Sequence, residues 1–355
     1  MSKKKYFFLV FLFFSVLVVA QSKSKFKAEI CTWQDDKAAA VSVTFDDASY
    51  TQYEYAYPVL SKYHFNATFS LVGEWTKEQA TYSAEPGYFE IKKMGWQQIR
   101  ELQKAGNEIA SHGYRHLRYN RRLPLDTLAK QMKRNKTLIE QHTGATCYTI
   151  HYPYSFANEK TARAARIAGF RFGRTGGSSC NNAVPDNILL LKSKAILNDT
   201  TPNLTEFEKW LAQAHGKWLI LMYHHLFPKG SKEMRILEYH KVRNTYSLYP
   251  ATFDKQMQML AQKNYWVAPV MQIGKYIVER EAVKLKTHRC FGRYVIKLQS
   301  KLDKIYDEPL TIKVKLPWQK VKVKIGETEK IYSNTNGEIL LNALPGSKIV
   351  IKKKK

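Results

Sequence analysis

Two hydrophobic rhythms alternate along most of the chain. Val41-Ser-Val-Thr-Phe45 is a short apolar, β-branched run that ends on Asp46 and Asp47, the pattern of a buried strand. Residues 51–62 then place Tyr53, Tyr57 and Leu60 on one helical face, and residues 66–72 return to an extended pattern. The exchange repeats: a helix at 96–102 closed by Gly106, a strand at 107–111, a helix at 126–142 with Leu128, Met132 and Ile139 inward, and a strand at 148–152. A helix at 158–168, stopped by Gly169, leads to a strand at 170–174. Residues 188–191 predict a sixth strand, 204–215 a helix, 218–223 a strongly apolar strand, 252–263 a helix and 265–268 a closing strand.

Strands alternating with helices are repeated βαβ units, and these build a parallel sheet. The expected fold class is α/β, a distorted (β/α) barrel of about seven or eight parallel strands, over residues 21–280. Beyond residue 280 the rhythm changes. Residues 311–316 and 320–325 alternate apolar side chains with Lys, Asn336-Gly337 is a hairpin turn signal, and 347–352 reads as a last strand. Residues 281–355 therefore predict a small antiparallel β domain with one wet, basic face.

Composition narrows the class. At 355 residues and 44% hydrophobic content, the chain can bury a large core and is not a disordered segment. Lys3, Lys4 and Lys5 precede an apolar run at 6–20, followed by polar Gln21-Ser22-Lys23. This is the pattern of a signal peptide over residues 1–20; its apolar run is short for spanning a bilayer, so an uncleaved anchor is the lesser alternative, and cleavage predicts a secreted or periplasmic protein of the cell envelope with no stable span. The net charge of +27 favours anionic surfaces such as cell-wall polymers. It is spread along the chain rather than gathered on a nucleic-acid module, which argues against nucleic acid. Residues 281–355 hold 18 Lys and Arg against 7 Asp and Glu, a net of +11; a structural appendage whose lysines keep its sheet edges soluble is the plainer reading. Cys31, Cys147, Cys180 and Cys290 form no C-x-x-C pair, which argues against a cysteine zinc site. Export would allow a disulfide, with Cys147 to Cys180 as the expected pair. Asn-x-Thr sequons stand at Asn66, Asn135, Asn198 and Asn203.

The polar residues that carry chemistry sit just after the predicted strands. Asp46 and Asp47 follow the first, and their alternation on an extended backbone would point them opposite ways, for two different jobs. His112 and His116 follow the 107–111 strand, spaced to share one divalent cation with a carboxylate as third ligand. His151 lies near the end of the 148–152 strand, and His224-His225 follow the 218–223 run. In barrels, chemistry gathers at the C-terminal strand ends.

These stretches resemble the motifs of the polysaccharide deacetylases with a NodB-homology domain. The likeness spans about residues 38–277. Thr44-Phe-Asp-Asp47 looks like the first motif, with Tyr63-His-Phe-Asn-Ala-Thr-Phe69 after it. Gly106-Asn-Glu-Ile-Ala-Ser-His-Gly-Tyr-Arg-His116 looks like the second, Tyr152-Pro-Tyr154 like the third and Leu219-Ile-Leu-Met-Tyr-His224 like the last. The resemblance implies that Asp46 is the general base and that Asp47, His112 and His116 hold a divalent metal, usually zinc. It further implies that the Tyr154 backbone N–H serves the oxyanion and that His224 is the general acid. The implied reaction is hydrolysis of N-acetyl groups on an amino-sugar polymer such as peptidoglycan, a chitin-like chain or poly-N-acetylglucosamine. An O-acetyl esterase of the xylan type and a catalytically weak glycan-binding protein are the alternatives.

The chain also departs from the pattern. Ala48 stands where Gly often follows the Asp pair. His151 occupies the place of an Arg that orients the base, and a neutral imidazole there carries no fixed charge. The Asp-rich fourth motif is not evident; residues 174–186 lie in its region and Asp186 is a weak match. Trp33, Trp75, Tyr114 and Tyr152 are aromatic candidates for stacking on sugar rings.

Overall fold

The structure is a computed structural model and describes residues 26–84, 90–119, 123–197, 204–239, 246–334 and 336–354. The signal-peptide residues 1–20 and the sequons at Asn198 and Asn203 lie outside the described residues. In chain order the elements begin with β1 (Lys27–Ile30), β2 (Ala39–Phe45), α1 (Tyr57–Lys62), β3 (Thr68–Leu71), β4 (Thr81–Ala84), β5 (Glu90–Lys93), α2 (Trp96–Lys104) and β6 (Glu108–Ser111). They continue with α3 (Leu125–Thr143), β7 (Thr149–His151), α4 (Glu159–Ile167), β8 (Phe172–Arg174), β9 (Lys194–Ala195), α5 (Leu204–Gln213), β10 (Trp218–Tyr223) and β11 (His225–Leu226). After α6 (Lys232–Tyr239), β12 (Ser247–Leu248), α7 (Pro250–Ala261), β13 (Tyr265–Val267) and α8 (Val270–Ala282), only strands follow. These are β14 (Lys284–Cys290), β15 (Arg293–Gln299), β16 (Leu310–Lys315), β17 (Lys320–Ile325), β18 (Thr328–Ser333), β19 (Glu338–Ala343) and β20 (Lys348–Lys353).

The βαβ repeats build a curled parallel sheet in the order β8-β7-β6-β3-β2-β10-β9, with β13 alongside the start of β2. At the two ends of this order, Leu191 bridges to Arg174 of β8, and Lys194 and Ala195 pair with Leu221 and Met222 of β10. The expected sixth strand at 188–191 is thus a single bridge, and the extended pairing begins at Lys194. β2 is buried over its whole length, as a central parallel strand must be. Its polar members are satisfied: Ser42 donates to the Ala268 carbonyl at 2.9 Å and Thr44 to the Leu221 carbonyl at 2.8 Å. Val41, Val43 and Phe45 face the core shared with helices α1 to α5 and α7, while Ala40 faces a second core built on α8 and Trp33. α8 lies so close to β8 that a Cβ on Gly274 would meet the Phe172 ring at 2.5 Å.

The C-terminal strands form two antiparallel sheets, β14-β15-β20-β17-β18 and β1-β16-β19, facing each other across Ile296, Leu298, Ile312, Val314, Val323, Leu341 and Ile351. β1 comes from the far N-terminus, and α8 and Trp33 pack on Leu310. The Tyr276 hydroxyl donates to the Cys31 carbonyl at 2.9 Å, tying α8 to the segment after β1. Asn336-Gly337 does turn the chain with both φ positive, but the strands it joins, β18 and β19, lie in different sheets, so it is a crossover and not a hairpin. The four cysteines are free; the buried Cys147 thiol donates to the Thr149 carbonyl at 3.6 Å, so the expected bond to Cys180 is not formed. Asn135 is fully buried and used within the fold, which removes it as an exposed sequon. Among the described residues, no helix is long and apolar enough to cross a membrane.

Candidate active site

Five strands of the parallel sheet deliver polar side chains to one of its ends. β2 ends on Asp46 and Asp47, β6 on His112, β7 on His151, β8 on Arg174 and β10 on His224. The Asp pair does not splay as strand alternation suggests. Asp47 has φ 70° and Ala48 φ 51°, so the chain leaves the extended region at once. That left-handed turn brings both carboxylates to the same imidazole: His112 Nε2 lies 3.8 Å from Asp46 Oδ2 and 3.5 Å from Asp47 Oδ1. The Ala48 position, where the family often has Gly, is left-handed, which accounts for a preference for Gly there.

Asp47, His112 and His116 form a compact triangle. His116 Nε2 lies 3.6 Å from Asp47 Oδ1 and 3.2 Å from His112 Nε2. A tetrahedral cation with bonds of about 2.1 Å holds its ligands about 3.4 Å apart, so the three donors fit one divalent ion. Asp47 Oδ1 is buried without a hydrogen-bond partner, as an atom reserved for a cation would be. His112 Nδ1 donates to the His151 carbonyl at 2.8 Å, which leaves the Nε2 lone pair facing the triangle. Burial raises the Asp47 carboxyl, but His112, His224 and His116 outweigh it and hold it at about 2. Burial, and then His112, push His116 down to about 4, so it is a neutral ligand at neutral pH.

Asp46 sits beside the triangle in a dense network. Ser70 Oγ donates to its Oδ1 at 2.8 Å, His151 Nδ1 reaches the same oxygen at 2.9 Å, and Arg174 NH2 donates to both oxygens. Burial would raise this carboxyl; the Arg174 charge, with His112 and His151, holds it well below the ordinary carboxylate range. Burial and the Arg174 charge take His151 down to about 3, so it serves as a neutral donor. The fixed charge missing at position 151 is therefore supplied from the next strand. The sequence reading passed over Arg174, and its only signal was a buried-strand position ending on a cation. Asp186 is exposed and outside this network.

His224 faces the carboxylates, with Nε2 3.8 Å from Asp46 Oδ2 and 3.9 Å from Asp47 Oδ2. Gln52 Nε2 links the two strand ends, donating to the Asp46 carbonyl at 2.5 Å and the His224 carbonyl at 2.8 Å. Burial pushes His224 down to about 4. Tyr154 has φ 57° in a short turn, with its ring half-exposed and 4.6 Å from that of His116. Trp75 lies 5.2 Å from the same imidazole, and Tyr246 lies 4.3 Å from His224. Of the other aromatic candidates, Trp33 and Tyr152 are core residues, and Tyr114 lies under the Arg134 guanidinium at 3.6 Å. Lys93 of β5 was also not foreseen; it is fully buried over the Trp75 ring, and burial lowers its ammonium to about 8 against the attraction of Asp47.

Residues 34–173 match the profile described as polysaccharide deacetylase. The chain is 30% identical over 151 residues to a putative polysaccharide deacetylase of Bacillus subtilis, YxkH, covering 42% of this chain and 50% of that protein. It is 26% identical over 143 residues to the poly-beta-1,6-N-acetyl-D-glucosamine N-deacetylase of Staphylococcus aureus, covering 38% and 47%. The chain thus spans about half the length of the curated relatives it matches. Among solved structures, it is similar to the Streptococcus pyogenes deacetylase PplD in complex with acetate, with 24% identity, a TM-score of 0.40, and 49% of this chain against 70% of that one.

Proposed function

We propose that this protein is an exported, zinc-dependent deacetylase that hydrolyses N-acetyl groups of an amino-sugar polysaccharide of the cell envelope. The observation that carries the reading is the convergence of Asp47, His112 and His116 at 3.2–3.6 Å, with Asp46 and His224 at their edge. The name of the Staphylococcus aureus relative supports poly-N-acetylglucosamine as the substrate to test first. A divalent cation held by Asp47 Oδ1, His112 Nε2 and His116 Nε2 supplies Lewis acidity toward the acyl oxygen and toward water.

The chain's own groups then divide the work. Asp46, kept ionised by Arg174, takes a proton from the attacking water as its oxygen bonds to the acyl carbon. The Tyr154 backbone N–H donates to the oxygen that becomes negative. His224 is neutral at rest, so the proton reaches the leaving nitrogen from Asp46 by way of His224 Nε2, 3.8 Å away, as the carbon–nitrogen bond breaks. Acetate and a free amine leave.

The test is zinc content together with acetate release from N-acetylglucosamine oligomers of β-1,6 and β-1,4 linkage. Wild type should hold one zinc and release acetate. Asp46→Asn should keep the zinc and lose about a hundred- to ten-thousandfold in rate. His112→Ala should lose tight zinc binding with the fold intact. Full zinc occupancy in His112→Ala would overturn the ligand set, and a zinc-loaded wild type that releases no acetate from any acetylated glycan would leave a binding protein.

A further inference from the structure

The outer face of the β14-β15-β20-β17-β18 sheet sets cations directly opposite one another. Lys286, Lys297 and Lys348 form one row across three strands, and Arg293, Lys352 and Lys322 form a second. Like charges facing each other across a strand pair weaken a sheet, so folding gives no reason for two such rows. Of these six, only Lys322 takes part in an ion pair among the described residues, with Glu329 at 2.6 Å. The row between them runs His288, Val295, Val350 and Lys324, apolar only at its centre.

At the edge of this face, the turn from β14 to β15 is Phe291-Gly292. Phe291 has φ 45° and is 95% exposed. A bulky ring in a left-handed turn is strained, and Asn or Gly would sit there at lower cost. The residue is surrounded by water on nearly every side, with Arg289 and Arg293 flanking it in sequence. A third observation comes from the N-terminus. Phe26, the first described residue, stacks on Tyr294 with centroids 3.9 Å apart. The described N-terminal end therefore lies beside the same turn.

We propose that this face docks the protein on an anionic lipid bilayer, with Phe291 entering the interfacial layer and the two cation rows over the headgroups. Basic side chains near an anionic leaflet and an aromatic wedge at its edge are the two halves of peripheral membrane binding. A soluble polyanion would use the rows but not the strained, water-exposed ring. The proposal does not depend on the deacetylase reading, and its test measures no acetate.

The test is flotation of the chain from Gln21 onward with vesicles; every described element lies within that chain. It should float with mixed phosphatidylcholine and phosphatidylglycerol vesicles and not with pure phosphatidylcholine. Phe291→Asn suits the turn better, so it should keep or raise the melting temperature while weakening binding about tenfold. Lys297→Glu, Lys348→Glu and Lys352→Glu together should weaken it at least about a hundredfold, with the melting temperature held. A wild type that ignores the mixed vesicles overturns the proposal. So does loss of binding in the lysine variant alone, with polyphosphate competing, which assigns the face to a soluble polyanion.

Discussion

At the scale of single residues, Arg174 decides how Asp46 behaves. Both are buried, and the guanidinium spans both carboxylate oxygens. Removing one partner of such a pair strands the other charge. Arg174→Met should therefore cost about 3–5 kcal/mol in denaturant unfolding and abolish activity, with zinc binding largely kept. Asp46→Asn with Arg174→Met should recover a large part of that loss, because two neutral groups are cheaper to bury than one lone charge. The sign with pH follows from the depressed Asp46 value. Its contribution is complete above the ordinary carboxylate range and fades only as the pH falls through the lower, folded value, so the advantage of wild type over the double variant should persist at pH 5 and shrink in stronger acid. Unfolding midpoints of the metal-free proteins across that range check it.

At the scale of elements, the site depends on how α3 is pinned to the strand ends. Asn135 donates to the Leu71 carbonyl and to Ser111 Oγ, both at 2.9 Å, and Ser111 Oγ accepts from the Gly113 N–H at 3.3 Å. The close approach exists because Gly73 has no Cβ; one there would lie 2.3 Å from Asn135 Oδ1. Asn135→Leu should cost about 1–3 kcal/mol by orphaning those acceptors, and should weaken zinc affinity because the loop from His112 to His116 loses its anchor. Thermal unfolding and zinc titration measure the two effects. The strand-helix series and the residues after β2, β6 and β10 were legible because period and motif are local properties. Arg174 was not, because its role depends on β8 standing across the sheet from β2, 128 residues away in the chain. The joint aim of Asp46 and Asp47 was misread because one left-handed residue, Asp47, breaks the alternation that the strand sets up.

At the scale of the whole molecule, the C-terminal strands are tied to both the N-terminal strand and α8. Their sandwich takes β1 from the other end of the chain, and Leu310 covers α8, Trp33 and Tyr276. A chain ending at residue 282 should expose that apolar face and fall out of solution on expression, even though every residue of the candidate site remains. Soluble yield and the melting profile give the answer; a soluble, zinc-binding fragment would show two independent units. The period-two Lys pattern disclosed the strands but not their partner, since nothing local in residues 27–30 announces a mate so far downstream. That pairing has a consequence for a polypeptide threaded outward from its N-terminus. The Asp35 amide finds its acceptor on Thr311, 276 residues later. In such an exported chain, the first strand to arrive would wait as a bare edge until its partner near residue 310 followed, and long-range pairing of that kind slows folding.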